Sequence, residues 1–342
     1  MPKGTVLVTG ATGFIAGHCI EELLTHGYAV RGTVRDPANA DTAHLRAIAE
    51  RTGSSLEFAG ASLDADAGWA EAAAGCTAVW HIASPNPTSA PRTSDEVVRP
   101  AVDGTLRVLR AAAGARTVRR VVLTSSIDAI RLGHGADPAR VFTEDDWSDV
   151  TRAAPYPTSK VLAERAAWAF AREHNLDMVA VHPGLVLGPL QRAQRTTSAE
   201  VVRLLLSRGM PAVPRLSFSI VDVRDVARAH LLATETAAAA GNRYILAGED
   251  RWMRQIATVL AAEFGPLGYR VPTTPMPRWL MWTVARFDRT IRLALDYEGV
   301  TTLVSAAKAA RELGWIPRPA KESIVDMADS LIRHGIVTRR GA

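Results

Sequence analysis

TVLVTGATGFIA, residues 5–16, decides the fold. Residues 5–9 form a short apolar run with a threonine at each end, the pattern of a strand buried on both faces of a parallel sheet. Gly10 and Gly13 have no Cβ, so the backbone after the strand can turn tightly and approach an anion closely. Residues 14–26 then carry Ile15, Cys19, Ile20, Leu23 and Leu24 at helical spacing. A strand, a glycine turn and a helix in that order make a cradle for a pyrophosphate. The free N–H groups and positive dipole end at the start of the helix face the anion. Ala16 stands where many such turns have a third glycine, a position that matters only for helix–strand packing, and alanine is small enough for it.

Outward from this turn the chain keeps a regular beat. Further apolar runs at 28–34, 78–83, 121–124 and 178–182 alternate with helical stretches at 69–74, 102–113 and 160–173. Strands alternating with helices imply βαβ units and a parallel sheet. The fold class expected is α/β, a Rossmann-type doubly wound parallel sheet with a smaller C-terminal substrate lobe. After about residue 183 the rhythm loosens and prolines cluster at 183, 189, 211 and 214, then at 266, 272, 275 and 277. Residues 1–183 are therefore expected to bind the cofactor, with a strand and a helix returning from 215–250. Residues 184–342 are expected to form mainly the substrate lobe.

The end of the second strand selects the dinucleotide. An NAD enzyme places Asp or Glu there to hold the ribose 2′-hydroxyl. Here the position is Val34, and Arg35 follows. A neutral residue and then a guanidinium suit a 2′-phosphate, so NADP(H) is expected over NAD(H). The competing reading is an ion pair between Arg35 and Asp36.

Tyr156-Pro157-Thr158-Ser159-Lys160 puts a phenol and an ammonium on one face of a helix. The chain has only four lysines, Lys3, Lys160, Lys308 and Lys321, which makes a chance pairing uncommon. The ammonium is expected to lower the phenol's pKa, so that Tyr156 can protonate a developing alkoxide while Lys160 holds ribose hydroxyls. The strand at 121–124 runs into Thr124-Ser125-Ser126, and ligands bind beyond the carboxyl ends of such strands. Ser126 is assigned to hydrogen-bond a substrate carbonyl. Ser125 is the alternative, and strand alternation makes the two exclusive.

Bulk properties narrow the class. The chain has 342 residues, 47% of them hydrophobic, and a formal charge of +5. Its arginines are spread out rather than clustered in a stripe, which argues against nucleic acid. Cys19 and Cys76 have no metal spacing and make no disulfide framework, which suggests reduced thiols in the cytoplasm. A strand begins almost at once, so no signal peptide is expected, and no apolar stretch is long enough to span a bilayer. Glu144-Asp145-Asp146 reads as a solvent-facing loop with no metal. His81 reads as a strand residue beside the cofactor, and Trp252, Trp279 and Trp282 as packing the C-terminal lobe or lining a pocket.

Taken in order, VTGATGFIA, TVRDP, HIASP, LTSS, YPTSK and HPGLVLGP resemble the extended short-chain dehydrogenases/reductases. Within them the chain is similar to the group of dihydroflavonol 4-reductase, cinnamoyl-CoA reductase and microbial aldehyde or ketone reductases. SIVDVRDVARAH (219–230), GNRYILAG (241–248) and ELGWIPRPAKESI (312–324) agree, so the resemblance covers nearly the whole chain. It implies Ser126, Tyr156 and Lys160 as the catalytic set and Arg35 as the reader of the 2′-phosphate. Gly10, Thr12, Gly13, Phe14 and Ile15 would meet the pyrophosphate, and Leu63 the adenine. Ile82, Ala83, Ser84 and Thr124 would line the groove, and Pro183, Gly184 and Val186 would flank the nicotinamide.

Three positions depart from that group. Ser62 replaces an Asp near the adenine, Asp41-Thr42 replaces a second basic residue after Arg35, and Arg131 replaces an Asn of the plant flavonoid enzymes. The expected activity is an NADPH-dependent reduction of an aldehyde or ketone carbonyl by a monomer or homodimer. An NAD-dependent sugar-nucleotide epimerase or dehydratase is the alternative. The expected substrate pocket is lined by residues 85–92, 130–147 and 187–218.

Overall fold

The computed structural model describes residues 3–85, 93–135, 137, 139–284, 286 and 298–338. Seven parallel strands build its main sheet: β1 (Thr5–Val8), β2 (Ala29–Val34), β3 (Leu56–Gly60), β4 (Ala78–His81), β5 (Arg120–Thr124), β7 (Met178–Pro183) and β10 (Arg243–Leu246). Their spatial order is β3-β2-β1-β4-β5-β7-β10. The order reverses between β1 and β4, and a crevice for a ligand opens there beyond the carboxyl ends of the strands.

The central strands are buried end to end because both faces are covered. On one face lie α1 (Phe14–Thr25), α2 (Ala43–Thr52) and α7 (Val223–Glu235), joined by Ile20, Leu23, Leu45, Val226 and Leu231. On the other lie α3 (Trp69–Ala73), α4 (Asp95–Gly114) and α5 (Pro155–Glu173), packed through Trp69, Val108, Leu109 and Ala167. The expected helix at 102–113 in fact begins at Asp95, whose charge and that of Glu96 favour the positive end of the dipole. Pro100 is accommodated within it.

After β7 the chain leaves the sheet through β8 (Leu185–Leu187) and α6 (Thr197–Leu206), then β9 (Ser217–Asp222) and α7, and returns as β10. β8, β9 and β11 (Asp250–Trp252) form a three-stranded sheet. A second core gathers Leu187, Val202, Leu205, Ile256 and Leu260 of α8 (Met253–Phe264), and Ile324 and Met327 of α11 (Ala320–Arg333). Short α9 (Arg278–Val284) and α10 (Ala307–Leu313) lie between, and β6 (Val141–Phe142) pairs with β12 (Leu303–Val304). Trp279 and Trp282 on α9 are 70% and 60% exposed, so they do not pack the lobe as the sequence suggests.

Candidate active site

The phosphate turn is held from below by one buried hydroxyl. Thr9 Oγ1 accepts from the N–H groups of Ile82 and Ala83, each at 2.9 Å, and meets His81 Nδ1 at 3.0 Å. This pins the end of β4 against the turn. From β2, Thr33 Oγ1 accepts from Gly10 N, and Thr33 O from Ala11 N. Gly10 has φ +69, and a Cβ there would stand 3.0 Å from that of Ala83. Gly32, which the sequence reading passed over, is needed for the same approach: its Cβ would come within 2.7 Å of Ala11 Cβ. The first turn of α1 has no side-chain cap and no acidic residue. Its N–H groups therefore remain open to an anion, as a pyrophosphate cradle requires.

At the end of β2, Asp36 accepts from Asn39 Nδ2 and Ala38 N, and these hydrogen bonds, the Asn39 one first, hold its carboxyl below the usual range. The Arg35–Asp36 pair considered from the sequence is not formed. Arg35 is exposed, and no ion pair joins it to any described residue. Leu63 lies after β3 and packs on Gly104 of α4, where a Cβ would be 3.0 Å from its own.

Across the crevice, Tyr156 and Lys160 project from the first turns of α5. Pro155 opens that helix, where a missing N–H is harmless. Lys160 Nζ lies 5.6 Å from the centre of the Tyr156 ring and 3.1 Å from Ser84 Oγ. Burial pulls the Lys160 ammonium down to about 8, against the charges of Asp128 and Glu164. The expected depression of the Tyr156 phenol is not found. Crowding by the surrounding protein, and then the charge of Asp128, raise it above its ordinary value. The ammonium sits over the ring face rather than at the hydroxyl, and so does little for the phenolate. The residue is nonetheless 45% exposed, so its side chain is not closed off from solvent.

The two serines after β5 part company. Ser125 is buried and donates to Glu164 Oε2 at 2.6 Å. Ser126 is half-buried and accepts from Asp128 N at 3.1 Å, which leaves its own proton for another partner. Thr124 Oγ1 is engaged with His230 Nε2 at 2.8 Å. His81 is buried, and burial and then the Lys160 charge push it down to about 3, so it is neutral and positions Thr9.

Glu164, one turn beyond Lys160, was missed in the sequence. It receives Ser125, His182 Nε2 at 2.8 Å, Arg243 Nε at 2.7 Å and Trp168 Nε1 at 3.2 Å. Burial alone would raise its carboxyl, but His182 and Arg243 hold it down to about 2. A cavity of about 20 Å³ separates Glu164 from Lys160, lined also by Ser84, Thr124 and Ser125. The helical repeat Tyr156, Lys160, Glu164 is the signal that could have found it.

Of the residues expected at the nicotinamide, Pro183 ends β7, and Gly184 N donates to Leu246 O at 3.0 Å. A Cβ on Gly184 would stand 2.1 Å from Ser219 O, so only glycine fits. Val186 is 5% exposed and packed in the main core beside its register partner Val221. Glu144 is not the solvent-facing residue expected: it is buried, and its Oε1 accepts from Ile245 N at 2.9 Å. Residues 86–92, 136 and 138 of the expected pocket lie outside the described residues.

This geometry has known counterparts. The model of the NAD dependent epimerase/dehydratase family matches residues 6–247. The chain belongs to that family. It is 34% identical to tetraketide alpha-pyrone reductase 1 of Arabidopsis thaliana over 344 residues, covering 98% of each chain. It is 39% identical over 283 residues to cinnamoyl-CoA reductase 1 of the same plant, covering 81% of this chain and 78% of the relative. Among solved structures, the yeast methylglyoxal/isovaleraldehyde reductase complexed with NADPH superposes with a TM-score of 0.79 at 29% identity, covering 97% of this chain and all of that one.

Proposed function

We propose that the protein is an oxidoreductase that uses NADPH to reduce an aldehyde or ketone carbonyl. One observation supports the reading: Tyr156 and Lys160 share the first turns of α5, with Lys160 Nζ 5.6 Å from the Tyr156 ring and 3.1 Å from Ser84 Oγ, and the charge of Asp128, two residues after Ser126, acts on both. The reduced nicotinamide supplies the hydride when bound. The rest of the chemistry belongs to the chain. Tyr156, a phenol protonated at neutral pH, donates its proton to the carbonyl oxygen as it becomes an alkoxide. Ser126 donates a hydrogen bond to the same oxygen. Lys160, tied to Ser84, holds the ribose hydroxyls.

Unpaired Arg35 after neutral Val34 supports NADP(H) over NAD(H), and the yeast reductase was solved with NADPH. The reductase names of the relatives support a bulky carbonyl compound. Arg131, three residues after Asp128, donates from Nη1 to Thr302 O at 3.2 Å, and its guanidinium lies 3.6 Å from Asp128. Among the described residues no helix is long and apolar enough to cross a membrane. We place the protein in the cytoplasm because Cys19 and Cys76 are buried free thiols.

The test is absorbance at 340 nm with NADPH and NADH offered separately against aromatic and aliphatic aldehydes, ketones and diketones. Consumption of NADPH with a subset of carbonyls is expected. No consumption with any carbonyl, in a protein purified with NAD still bound, would move the assignment to a sugar-nucleotide epimerase.

A further inference from the structure

We propose that Arg192, which comes from the second lobe, is a specificity-determining residue that reads the cofactor's 2′-phosphate together with Arg35. The inference rests on the NADP(H) reading above and adds a residue to it.

The segment after β8 is pinned on both sides before it reaches Arg192. Pro189 O accepts from His18 Nε2 at 2.9 Å, and Leu190 N donates to Ser330 Oγ at 2.9 Å. Leu190 O meets His334 Nε2 at 3.0 Å, and Gln191 Nε2 donates to Glu21 Oε2 at 2.7 Å. One set of contacts belongs to α1, the other to α11 and the turn that follows it. Arg192 is thus carried on a fixed arm rather than a free loop.

From that arm the guanidinium spans the two segments that would flank an adenosine 2′-phosphate. Nη2 donates to Thr12 O in the phosphate turn at 2.8 Å, and Nη1 pairs with Asp41 Oδ2 at 3.0 Å in the loop that follows Arg35. Its Nε is buried and has no partner among the described residues. Burial, then the charge of Arg192, holds neighbouring His44 below its usual value, so His44 adds no positive charge at neutral pH.

Arg35 is exposed at the end of β2, and of the acidic residues that follow it, Asp36 is already bound by Ala38 and Asn39 while Asp41 pairs with Arg192. Asp41 is 64% exposed, and such a pair is weak. A phosphate dianion can take the guanidinium in two parallel hydrogen bonds and outcompete it. A ribose hydroxyl offers no such gain. The acidic residue at position 41 is thus offset by a cation distant in sequence.

The experiment titrates the full chain with NADPH, NADH, 2′,5′-ADP and 5′-AMP, read by tryptophan fluorescence and, for the adenosine phosphates, by competition. Arg192→Ala is expected to weaken NADPH and 2′,5′-ADP about tenfold or more, the loss of one charge-assisted contact, and to leave NADH and 5′-AMP within about twofold. Asp41→Asn, which removes the competing carboxylate, is expected to tighten NADPH about twofold to fivefold without changing NADH. Equal weakening of all four ligands by Arg192→Ala would overturn the proposal, since Arg192 would then only brace the turn. So would no weakening at all, or a looser NADPH complex in Asp41→Asn. If the unaltered protein shows no preference for the phosphorylated nucleotides, the NADP(H) reading itself falls. If it shows the preference and Arg192→Ala keeps it, only the role of Arg192 falls.

Discussion

The phosphate turn and the Glu164 cluster lie in the same crevice and use their polar groups in opposite ways. At the turn, the first N–H groups of α1 have no cap, no acidic neighbour, and glycines wherever a Cβ would fill the approach. Around Glu164, both carboxylate oxygens are taken, by Ser125 and His182 on one and by Arg243 and Trp168 on the other. Hydrogen-bonding capacity left open marks the place for a ligand, and capacity filled by the protein marks structure. The contrast separates the adjacent serines: Ser125 belongs to the cluster and Ser126 to the groove. Substitutions in the groove should therefore alter function without altering stability, and substitutions in the cluster the reverse.

The sharpest way to break this contrast is at Tyr156. Tyr156→Phe is expected to lower kcat by about 10²–10⁴-fold, the usual contribution of a proton donor. NADPH affinity and the melting temperature should stay unchanged, because the hydroxyl supports no described contact and the residue is 45% exposed. A large fall in melting temperature would place Tyr156 with the structural residues instead.

Glu164→Ala makes the reverse case. It leaves Arg243 and His182 buried without their partner, a loss of about 3–5 kcal/mol in urea unfolding. The pH dependence has a definite sign. A carboxyl held at about 2, below its ordinary 4.5, contributes stability that is complete above 4.5 and is lost as pH falls through 2. The difference in stability between the protein and Glu164→Gln should shrink over that window. A difference independent of pH would mean that the carboxylate charge is not what holds the cluster.

Lys160 stands between the two regions. With its ammonium at about 8, kcat/KM for NADPH should fall about tenfold by one pH unit above that value, as the charge is lost. Lys160→Arg should remove this alkaline limb, and a limb that persists would have to come from another group. The smallest effect is expected at Gly10. Gly10→Ala strains a left-handed residue by about 1–2 kcal/mol and crowds Ala83. It should weaken NADPH and NADH equally, unlike Arg192→Ala.

What the sequence disclosed follows from how local each signal is. The turn from Thr9 to Phe14 and the pair Tyr156–Lys160 are written within a few residues, and the strands around them appear within a residue or two of their expected ends. β3 and α2 went unnoticed because β3 is an edge strand with Glu57 exposed and only half-buried apolar neighbours. Glu164 meets His182 and Arg243, which lie in separate strands. Arg192 meets Thr12 from 180 positions away. No periodicity carries such contacts, and the segment that delivers Arg192 lies within the stretch 187–218 read as substrate pocket, with nothing local in it to point toward the phosphate turn. The phenol was misjudged for a related reason: the helix repeat places Lys160 near Tyr156, but only the side-chain path shows the ammonium over the ring face.

The return of β10 has a consequence for how the molecule is assembled. β7 is the sheet's last strand until the chain has been laid down through β10, and Met178 O, Ala180 N and Gly184 N complete their hydrogen bonds only with Gly241 N, Asn242 O and Leu246 O of that later chain. As the polypeptide emerges from the ribosome, a nascent chain ending near residue 183 presents an apolar strand edge with no neighbour, the form most prone to pair with another chain. Cutting the protein where its sequence rhythm changes would therefore yield no autonomous nucleotide-binding module, whereas a fragment carried through Leu246 would at least close its own border.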